Sequence, residues 1–361
     1  MEISDRIRDA RQKAGLTQAA LADALGISQP TVNRWERGEG EPSAAQLTAI
    51  AGATGTSPEW LAFASAKPGA TAGADTIGTA GETIAFQGVP GAYSQLACRE
   101  AYPEMTPLPC ETFEDAFAAV TDGTAKLGMI PIDNSLGGRV ADIHHLLPES
   151  GLFIVAEHFQ PVHHYLLAPP EARLDTIKTV RSHTQGLAQC RDVVRELGLT
   201  PEARADTAGA AKEVAELGDP TVAAIASSLA AETYGLKVLR ERVEDRIGNT
   251  TRFVVMSRRR IEPDVADGPC ITSFMFQVRS VPAALYKGLG GFATNNVNVT
   301  KLESYIVDAF FTVAQFYAEI EGHPAEKRID QAFDELQYFC TKLKILGTFP
   351  ANSFREGVEE V

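Results

Sequence analysis

Apolar residues recur at helical spacing from the start of the chain. Ile3, Ile7, Ala10 and Ala14 share one face, which predicts an amphipathic helix, and Gly15 stands where a C-cap glycine ends one. Thr17 is placed to cap a second helix carrying Ala20, Leu21, Ala24 and Leu25 and closed by Gly26; Ser28 is placed to cap a third, with Pro30 in its first turn. Short helices capped by Ser43 and Ser57 then supply Leu47, Ile50, Trp60 and Leu61 to a small core, which Trp35 joins. From residue 83 the pattern changes. Apolar runs at 84–86, 127–132, 152–156, 179–181, 222–226 and 253–256 predict strands alternating with helical stretches, an α/β pattern. The last part reads strand (271–278), helix (283–294), strand (299–306), strand (311–320), helix (325–343), strand (344–349), the βαββαβ order of a ferredoxin-like α+β fold.

Two seams separate these patterns. The stretch 65–82, SAKPGATAGADTIGTAGE, has too few large apolar residues to pack and is predicted to be a linker; the stretch 258–269 runs from three arginines into polar, Pro- and Gly-containing sequence. The expected organisation is therefore multidomain: 1–64, linker 65–82, 83–260, and 270–350, in keeping with 361 residues.

Composition narrows the class. Hydrophobic residues at 44% and charged residues at 22% describe a packed protein, and exclude a wholly disordered chain or a fibrous rod. Arg, Asp and Glu stud the first residues, and no apolar run approaches a membrane span, so a cytoplasmic location without membrane partners is expected. Cys98, Cys110, Cys190, Cys270 and Cys340 are far apart and never form Cys-x-x-Cys, so neither a disulfide frame nor a metal site is expected. His144, His145, His158, His163 and His164 match no metal-ligand spacing and are expected to be packing or surface residues. The formal charge of −14 argues against a protein built around a nucleic-acid surface. The first block itself carries six basic against eight acidic residues, so its non-specific DNA affinity should be weak.

The chemistry of the middle block lies where strands give way to helices. Residues 88–94 (with Tyr93 and Ser94), 131–138 (Asn134, Ser135), 181–186 (Ser182, Gln185) and 206–211 (Thr207) each place small or hydroxyl residues at a helix start. Unpaired N–H groups and the positive end of the helix dipole favour anions there, so a carboxylate or phosphate ligand between α/β lobes is the physical expectation.

Taken in order, and closing with Asn249-Thr250-Thr251-Arg252-Phe253, these motifs resemble the prephenate dehydratase family over residues 83–260. The resemblance implies a two-lobed fold related to type 2 periplasmic binding proteins, with lobes 83–158 plus 247–260 and 159–246. It also implies a cofactor-free reaction: prephenate loses carbon dioxide and its ring hydroxyl to give phenylpyruvate. Carried over by motif, Thr251 assists the departing hydroxyl, while Asn134, Ser135 and Gln185 hydrogen-bond the substrate and its leaving group. Arg252 would partner a carboxylate and Phe253 form an apolar wall; an ion pair between lobes is the competing reading of Arg252. The sequence departs from the family at Asp133, where Glu is usual, at Gly137, where Ala or Ser is usual, and at Thr184, where Pro is common.

Two further resemblances flank this one. LTQAALADALGISQPTVNRWERG resembles the helix-turn-helix of the phage-repressor (Cro/CI-like, XRE) family, which implies an all-α head with Gln29, Thr31, Asn33 and Arg34 as DNA contacts. The segments around Pro282-Ala283-Ala284-Leu285-Tyr286 and 298–304 resemble the ACT regulatory domain. In this enzyme family it binds L-phenylalanine between paired domains, which implies allosteric control, a homodimer or homotetramer, and Ala284, Leu285, Asn298, Glu303 and Ser304 as effector positions. There the family's Gly is Ala283, and its usual Arg-Pro is Tyr305-Ile306. The alternative to an enzyme is a DNA-binding regulator that senses prephenate or an aromatic amino acid.

Overall fold

In the head, one of the two predicted N-caps among the described residues acts through its side chain. The computed structural model describes residues 3–38, 40, 42, 44–54, 56, 61, 81–140, 143–246, 248–279, 281–306 and 314–357. Helices α1 (Ile3–Lys13), α2 (Gln18–Leu25), α3 (Gln29–Glu36) and α4 (Ala44–Thr54) form the head. Thr17 Oγ1 accepts from the Ala20 N–H at 3.1 Å, and Gly26 ends α2 in the left-handed region at φ 63°. Ser28 holds the third N-cap position, but its hydroxyl bonds Thr31 Oγ1 at 2.9 Å instead of a backbone N–H. Trp35 packs with Ile7, Ala10, Leu47, Ile50 and Leu61. Beside it Glu36 is buried, bridged to Arg11 of α1 at 2.6 and 3.0 Å and to Gln18 of α2 at 2.8 Å. Burial opposes that charge, yet Arg11 and Gln18 hold the carboxyl below its usual range, so one acid pins three helices. Ser43, Ser57, Trp60 and most of the 65–82 stretch lie outside the described residues.

Residues 78–361 form a separate compact unit with three sheets. The first has the order β2-β1-β3-β11-β5, from β1 (Thr83–Gln87), β2 (Thr106–Cys110), β3 (Leu127–Asn134), β5 (Phe153–Pro161) and β11 (Thr250–Ser257), with the two-residue β4 (Gly138–Arg139) hooked onto β3. The second has the order β10-β6-β9-β7-β8, from β6 (Tyr165–Ala168), β7 (Thr179–His183), β8 (Thr200–Arg204), β9 (Val222–Ala226) and β10 (Lys237–Arg240). Helices α5 (Tyr93–Ala101) and α6 (Phe113–Asp122) serve the first sheet, with the short α7 (Ile143–Leu146). In the second, α8 (Thr184–Gln189), α9 (Arg191–Glu196), α10 (Thr207–Leu217) and α11 (Ser228–Tyr234) follow β7, β7, β8 and β9. The third sheet, β13-β14-β12-β15, comprises β12 (Cys270–Val278), β13 (Val299–Ile306), β14 (Ala314–Glu321) and β15 (Cys340–Pro350), with α12 (Ala284–Thr294) and α13 (Lys327–Phe339) between them. That is the α/β plus ferredoxin-like α+β class expected.

Five strands escape the sequence pattern: β2, β6, β8, β10 and the two-residue β4. β2 and β8 carry prolines (Pro107, Pro109, Pro201), which weaken a strand reading, and both occupy sheet edges, where a missing N–H is tolerated. β6 and β10 have only four residues each. Two boundaries are corrected. The helix expected over 325–343 ends at Phe339, because Cys340 turns extended and pairs with Val278 of β12. The strand expected at 152–156 runs on to Pro161, because its later residues pair with the start of β11.

The third sheet packs directly on the first. Ile271, Met275, Tyr317, Leu346 and Phe349 share one core with Ile130, Ile132, Ile154, Val254 and Met256. Gly347 of β15 lies so near the Ile154 backbone that no Cβ fits between them.

Candidate active site

β1 and β3 are parallel, and β11 runs antiparallel to β3, so the carboxyl ends of β1 and β3 and the amino end of β11 meet at one edge of the first sheet. In the second sheet β7, β8 and β9 are parallel, and α8, α10 and α11 begin beyond their carboxyl ends. The two edges touch. Ser227 Oγ donates to the Gly91 carbonyl at 2.6 Å and Tyr234 Oη to the Pro90 carbonyl at 2.6 Å. Gly91, at φ +86°, lies so close to Ala230 that an added Cβ would come within 2.9 Å of its Cα. Carboxyl ends of strands facing across a crevice are where α/β sheets bind ligands.

Asn134, last in β3, is the register partner of Thr251 in β11. Its Nδ2 donates to Thr251 Oγ1 at 2.9 Å and to Asn249 Oδ1 at 2.8 Å, while its Oδ1 accepts from the N–H groups of Leu136 at 3.0 Å and Gly137 at 2.6 Å. The tight turn into β4 therefore fixes which end of the amide faces Thr251. Thr251 is half-buried, and because its oxygen accepts from Asn134, its own proton remains to donate.

Ser135, next to it, has a different task. It donates to the Gly248 carbonyl at 2.9 Å and accepts from the Thr250 N–H at 2.9 Å, so its hydroxyl fastens the segment entering β11. Asn249, buried, hands the network on: its Nδ2 donates to Gln189 Oε1 at 3.0 Å. Gln189 Oε1 also lies 2.9 Å from Nε2 of the buried His164, whose Nδ1 is 2.9 Å from Tyr93 Oη.

The remaining expected site residues divide into two groups. Gln185 is exposed in the first turn of α8, which His183 caps through its Nδ1; Thr207 and Ser94 are half-buried at the starts of α10 and α5. Others point into the protein. Ser182 is fully buried and donates to the Ile225 carbonyl at 2.6 Å; Phe253 is core; Tyr93 directs its hydroxyl to His164 and to the His163 carbonyl at 2.7 Å.

Arg252 does not face the crevice either. It is buried, with Glu157 of β5 at 2.8 Å, Glu319 of β14 at 2.8 and 2.9 Å, and Asp133 at 3.7 Å. Arg355 reaches the same two glutamates at 2.7 and 3.4 Å, and Lys301 of β13 holds Asp133 at 2.6 Å. Three cations meet three carboxylates. Burial would suppress these charges, but mutual pairing raises the Arg252 pKa above its usual value and keeps Glu319 below the usual carboxylate range. Tyr317, hydrogen-bonded to Glu319, has its pKa raised by burial and by that carboxylate.

At the expected effector positions, Glu303 lies 3.4 Å from Lys301 and 3.7 Å from Arg139, and the Ser304 carbonyl accepts from Arg139 at 3.2 Å. Ala284 is buried, Leu285 packs on the third sheet's core, and Asn298 is exposed. Ala283 holds φ 61°, a left-handed position that favours the glycine it replaces. In the head, Gln29 and Arg34 are exposed on α3, and Thr31 and Asn33 are half-buried.

The sequence reading passed over Gln189, Glu157, Glu319 and Arg355, and gave Asn249 and His164 no part in the site. Asn249 is a neighbour of the Thr251 motif, and Gln189 lies one helical turn beyond Gln185; those were the available signals. His163 pairs with Glu244 at 2.9 Å and His145 packs edge-on against Tyr305 at 5.6 Å.

Residues 84–261 match the sequence profile of the family described as prephenate dehydratase, and residues 7–61 that of the helix-turn-helix. A bifunctional N-acyl-homoserine lactone acylase/prephenate dehydratase of Komagataeibacter europaeus is 50% identical over 272 residues, covering 75% of this chain and 97% of that one. The solved structure of GqqA, described as a novel type of quorum quenching acylase, is 51% identical with a TM-score of 0.72, over 76% of this chain and 99% of that one. A prephenate dehydratase from Arthrobacter aurescens, solved with L-Phe, is 29% identical with a TM-score of 0.68, over 74% and 90% of the two chains.

Proposed function

Because the chain belongs to the prephenate dehydratase family, we infer that it is a carbon–oxygen lyase of L-phenylalanine biosynthesis, converting prephenate to phenylpyruvate, carbon dioxide and water. In that reaction the bond to the ring carboxylate breaks, its electron pair completes the aromatic ring, and the ring C–O bond breaks. The departing hydroxide takes up one proton from solvent to leave as water. Aromatisation drives the step, so no cofactor is called for; the protein must hold a dianion and stabilise the oxygen that leaves.

Thr251 is the donor to that oxygen, and Asn134 sets the direction of the donated proton. The observation that carries this assignment is the 2.9 Å bond from Asn134 Nδ2 to Thr251 Oγ1, which leaves the threonine hydrogen as the free donor. An alcohol of ordinary acidity does not fully protonate hydroxide, so the contribution is a strong hydrogen bond in the transition state. Gln185, Thr207, Ser94 and the N–H groups at the starts of α5, α8 and α10 bind the substrate carboxylates. Ser135 and Ser182 brace the loops that present them, and Arg252 braces β11.

The test is direct: purified full-length protein is given prephenate or arogenate in the presence of a metal chelator. Phenylpyruvate should form from prephenate at an enzymatic rate, unaffected by the chelator. No phenylpyruvate would overturn the assignment, and faster release of phenylalanine from arogenate would move the substrate to the amine.

The functional units are residues 1–64, 83–260 and 270–350. L-Phenylalanine binds the last of these, near Ala284, Leu285, Asn298, Glu303 and Ser304, in a cytoplasmic homodimer or homotetramer. The solved L-Phe complex from Arthrobacter aurescens supports that reading. The head binds DNA through α3, an assignment supported by the exposure of Gln29 and Arg34. With more acids than bases in the head, that binding should be sequence-selective and salt-sensitive. Arg34→Ala should weaken it about tenfold, an effect of roughly 1 to 3 kcal/mol. Selection with full-length protein at low salt that enriches no sequence would make the head an appendage.

A further inference from the structure

The hairpin of β3 and β4 has two faces with different neighbours. Side chains alternate along a strand, and register partners share a face. Asn134 pairs with Gly138 and with Thr251 of β11, and that level of the hairpin belongs to the crevice. One residue back, Asp133 pairs with Arg139 and with Arg252, so these three side chains lie on the opposite face. The third sheet covers that face.

Strand β13 meets the hairpin with alternate residues of its own: Lys301 and Glu303 are half-buried, while Leu302 and Ser304 beside them are exposed. A bulge in the pairing of β13 with β14, at Thr300, sets Lys301 in register with Glu319. Lys301 Nζ reaches Asp133 Oδ1 at 2.6 Å and Glu303 Oε1 at 3.4 Å. Arg139 Nη1 donates to the Ser304 carbonyl at 3.2 Å and lies 3.7 Å from Glu303 Oε2. Both strands of the hairpin are therefore tied to β13, and one carboxylate, Glu303, serves both ties. Between the tied strands lies the turn whose Leu136 and Gly137 N–H groups hold Asn134 Oδ1. β13 is an edge strand with β14 as its one neighbour in the third sheet, so its outer side is where a ligand could act on it. Ser304 joins the two sides: its carbonyl holds Arg139 while the residue itself is exposed.

We propose that Arg139 and Glu303 form a latch from the third sheet to the hairpin that carries Asn134, acting as positioning residues for the dehydration and giving an effector on β13 a direct route to the site. The catalytic part rests on the reading of Asn134 and Thr251 as site residues, and the regulatory part on L-phenylalanine binding near Glu303 and Ser304. An effector that draws Glu303 or Ser304 to itself loosens β4, and a hairpin displaced by a fraction of an ångström presents Asn134 wrongly to its partner.

The experiment measures kcat, KM and melting temperature for prephenate turnover by the full-length protein, with and without L-phenylalanine, in Arg139→Met, Arg139→Lys, Glu303→Gln and the double variant Arg139→Met/Glu303→Gln. Arg139→Met should lower kcat about fivefold with KM within about twofold, the modest size reflecting an exposed cation. Arg139→Lys keeps a cation for the Ser304 carbonyl and should stay within about twofold of the parent. Glu303→Gln should lower kcat about threefold, and it carries the test should the methionine variant not fold. Added to Arg139→Met it should cost less than about twofold more, because the two act together. L-Phenylalanine should still bind Arg139→Met in calorimetry, since Arg139 lies outside the third sheet's unit, but should leave its kcat almost unchanged while altering the parent's several-fold. A merely structural Arg139 would lower the melting temperature and spare kcat. Parental kcat in both Arg139→Met and Glu303→Gln, an equal loss in Arg139→Lys, or multiplied losses in the double variant would overturn the latch, and a full effector response in Arg139→Met would overturn its regulatory route. A parent protein that binds no L-phenylalanine would instead overturn the effector reading, and a Thr251→Ala protein as active as its parent the catalytic one.

Discussion

Thr251→Ala should turn over prephenate about 10² to 10³ times more slowly than the parent while binding it almost as well. The size follows from losing one preorganised donor to a developing oxyanion, about 2 to 4 kcal/mol of transition-state stabilisation. The loss should fall on kcat, since the oxygen carries little charge before the ring C–O bond stretches. Thr251→Ser should recover much of the rate, because the hydroxyl and its partner Asn134 both remain. Steady-state kinetics on folded protein decides this, and near-parental kcat in Thr251→Ala would remove the residue from the mechanism. Asn134→Ala should be impaired for a related reason: the Thr251 hydroxyl keeps its proton but loses the donor that aims it.

The second large effect is on stability. Glu319→Ala should destabilise the unit formed by the first and third sheets by about 3 to 5 kcal/mol, because it strips the buried Arg252 of the carboxylate that two of its nitrogens reach. The sign of the pH dependence follows from the lowered pKa of Glu319. Its contribution is fully present above the unfolded-state value of about 4.3 and is lost as pH falls toward the folded-state value. Parent and variant should therefore differ most near neutral pH and converge in acid, in chemical unfolding monitored at several pH values. A gap that is the same at neutral and acidic pH would show that the carboxylate is not charged in the folded protein. Arg252 flanks Thr251, and Asp133, held by Lys301, flanks Asn134, so the third sheet braces both sides of the Asn134–Thr251 pair. Deleting residues 270–361 should abolish folding of the first sheet along with activity.

How far the sequence could be read depended on whether a residue's partner was near or far in the chain. Periodicity and caps are local, and they placed Thr17, Gly26 and the central strands well. Edge strands β2 and β8 were illegible because proline lowers strand propensity and only their position in the sheet excuses it. Among site residues, the pairing of Asn134 with Thr251 was foreshadowed by motif. Arg252 was ambiguous, since an arginine beside a catalytic threonine can face a ligand or a carboxylate. Glu319 settles that choice from 67 residues away, and no spacing rule reaches so far. Ser135 illustrates the same limit: its hydroxyl suits a substrate, but the loop carrying Gly248 and Thr250 occupies it first.

The most direct measurement is the crystal structure of the protein with an unreactive prephenate analogue that keeps the ring hydroxyl and both carboxylates. Thr251 Oγ1 should lie within about 2.6 to 3.2 Å of the analogue's ring oxygen, with the Asn134 bond intact and the carboxylates at the helix starts. A ring hydroxyl resting against other donors, with Thr251 out of hydrogen-bond reach, would contradict the account.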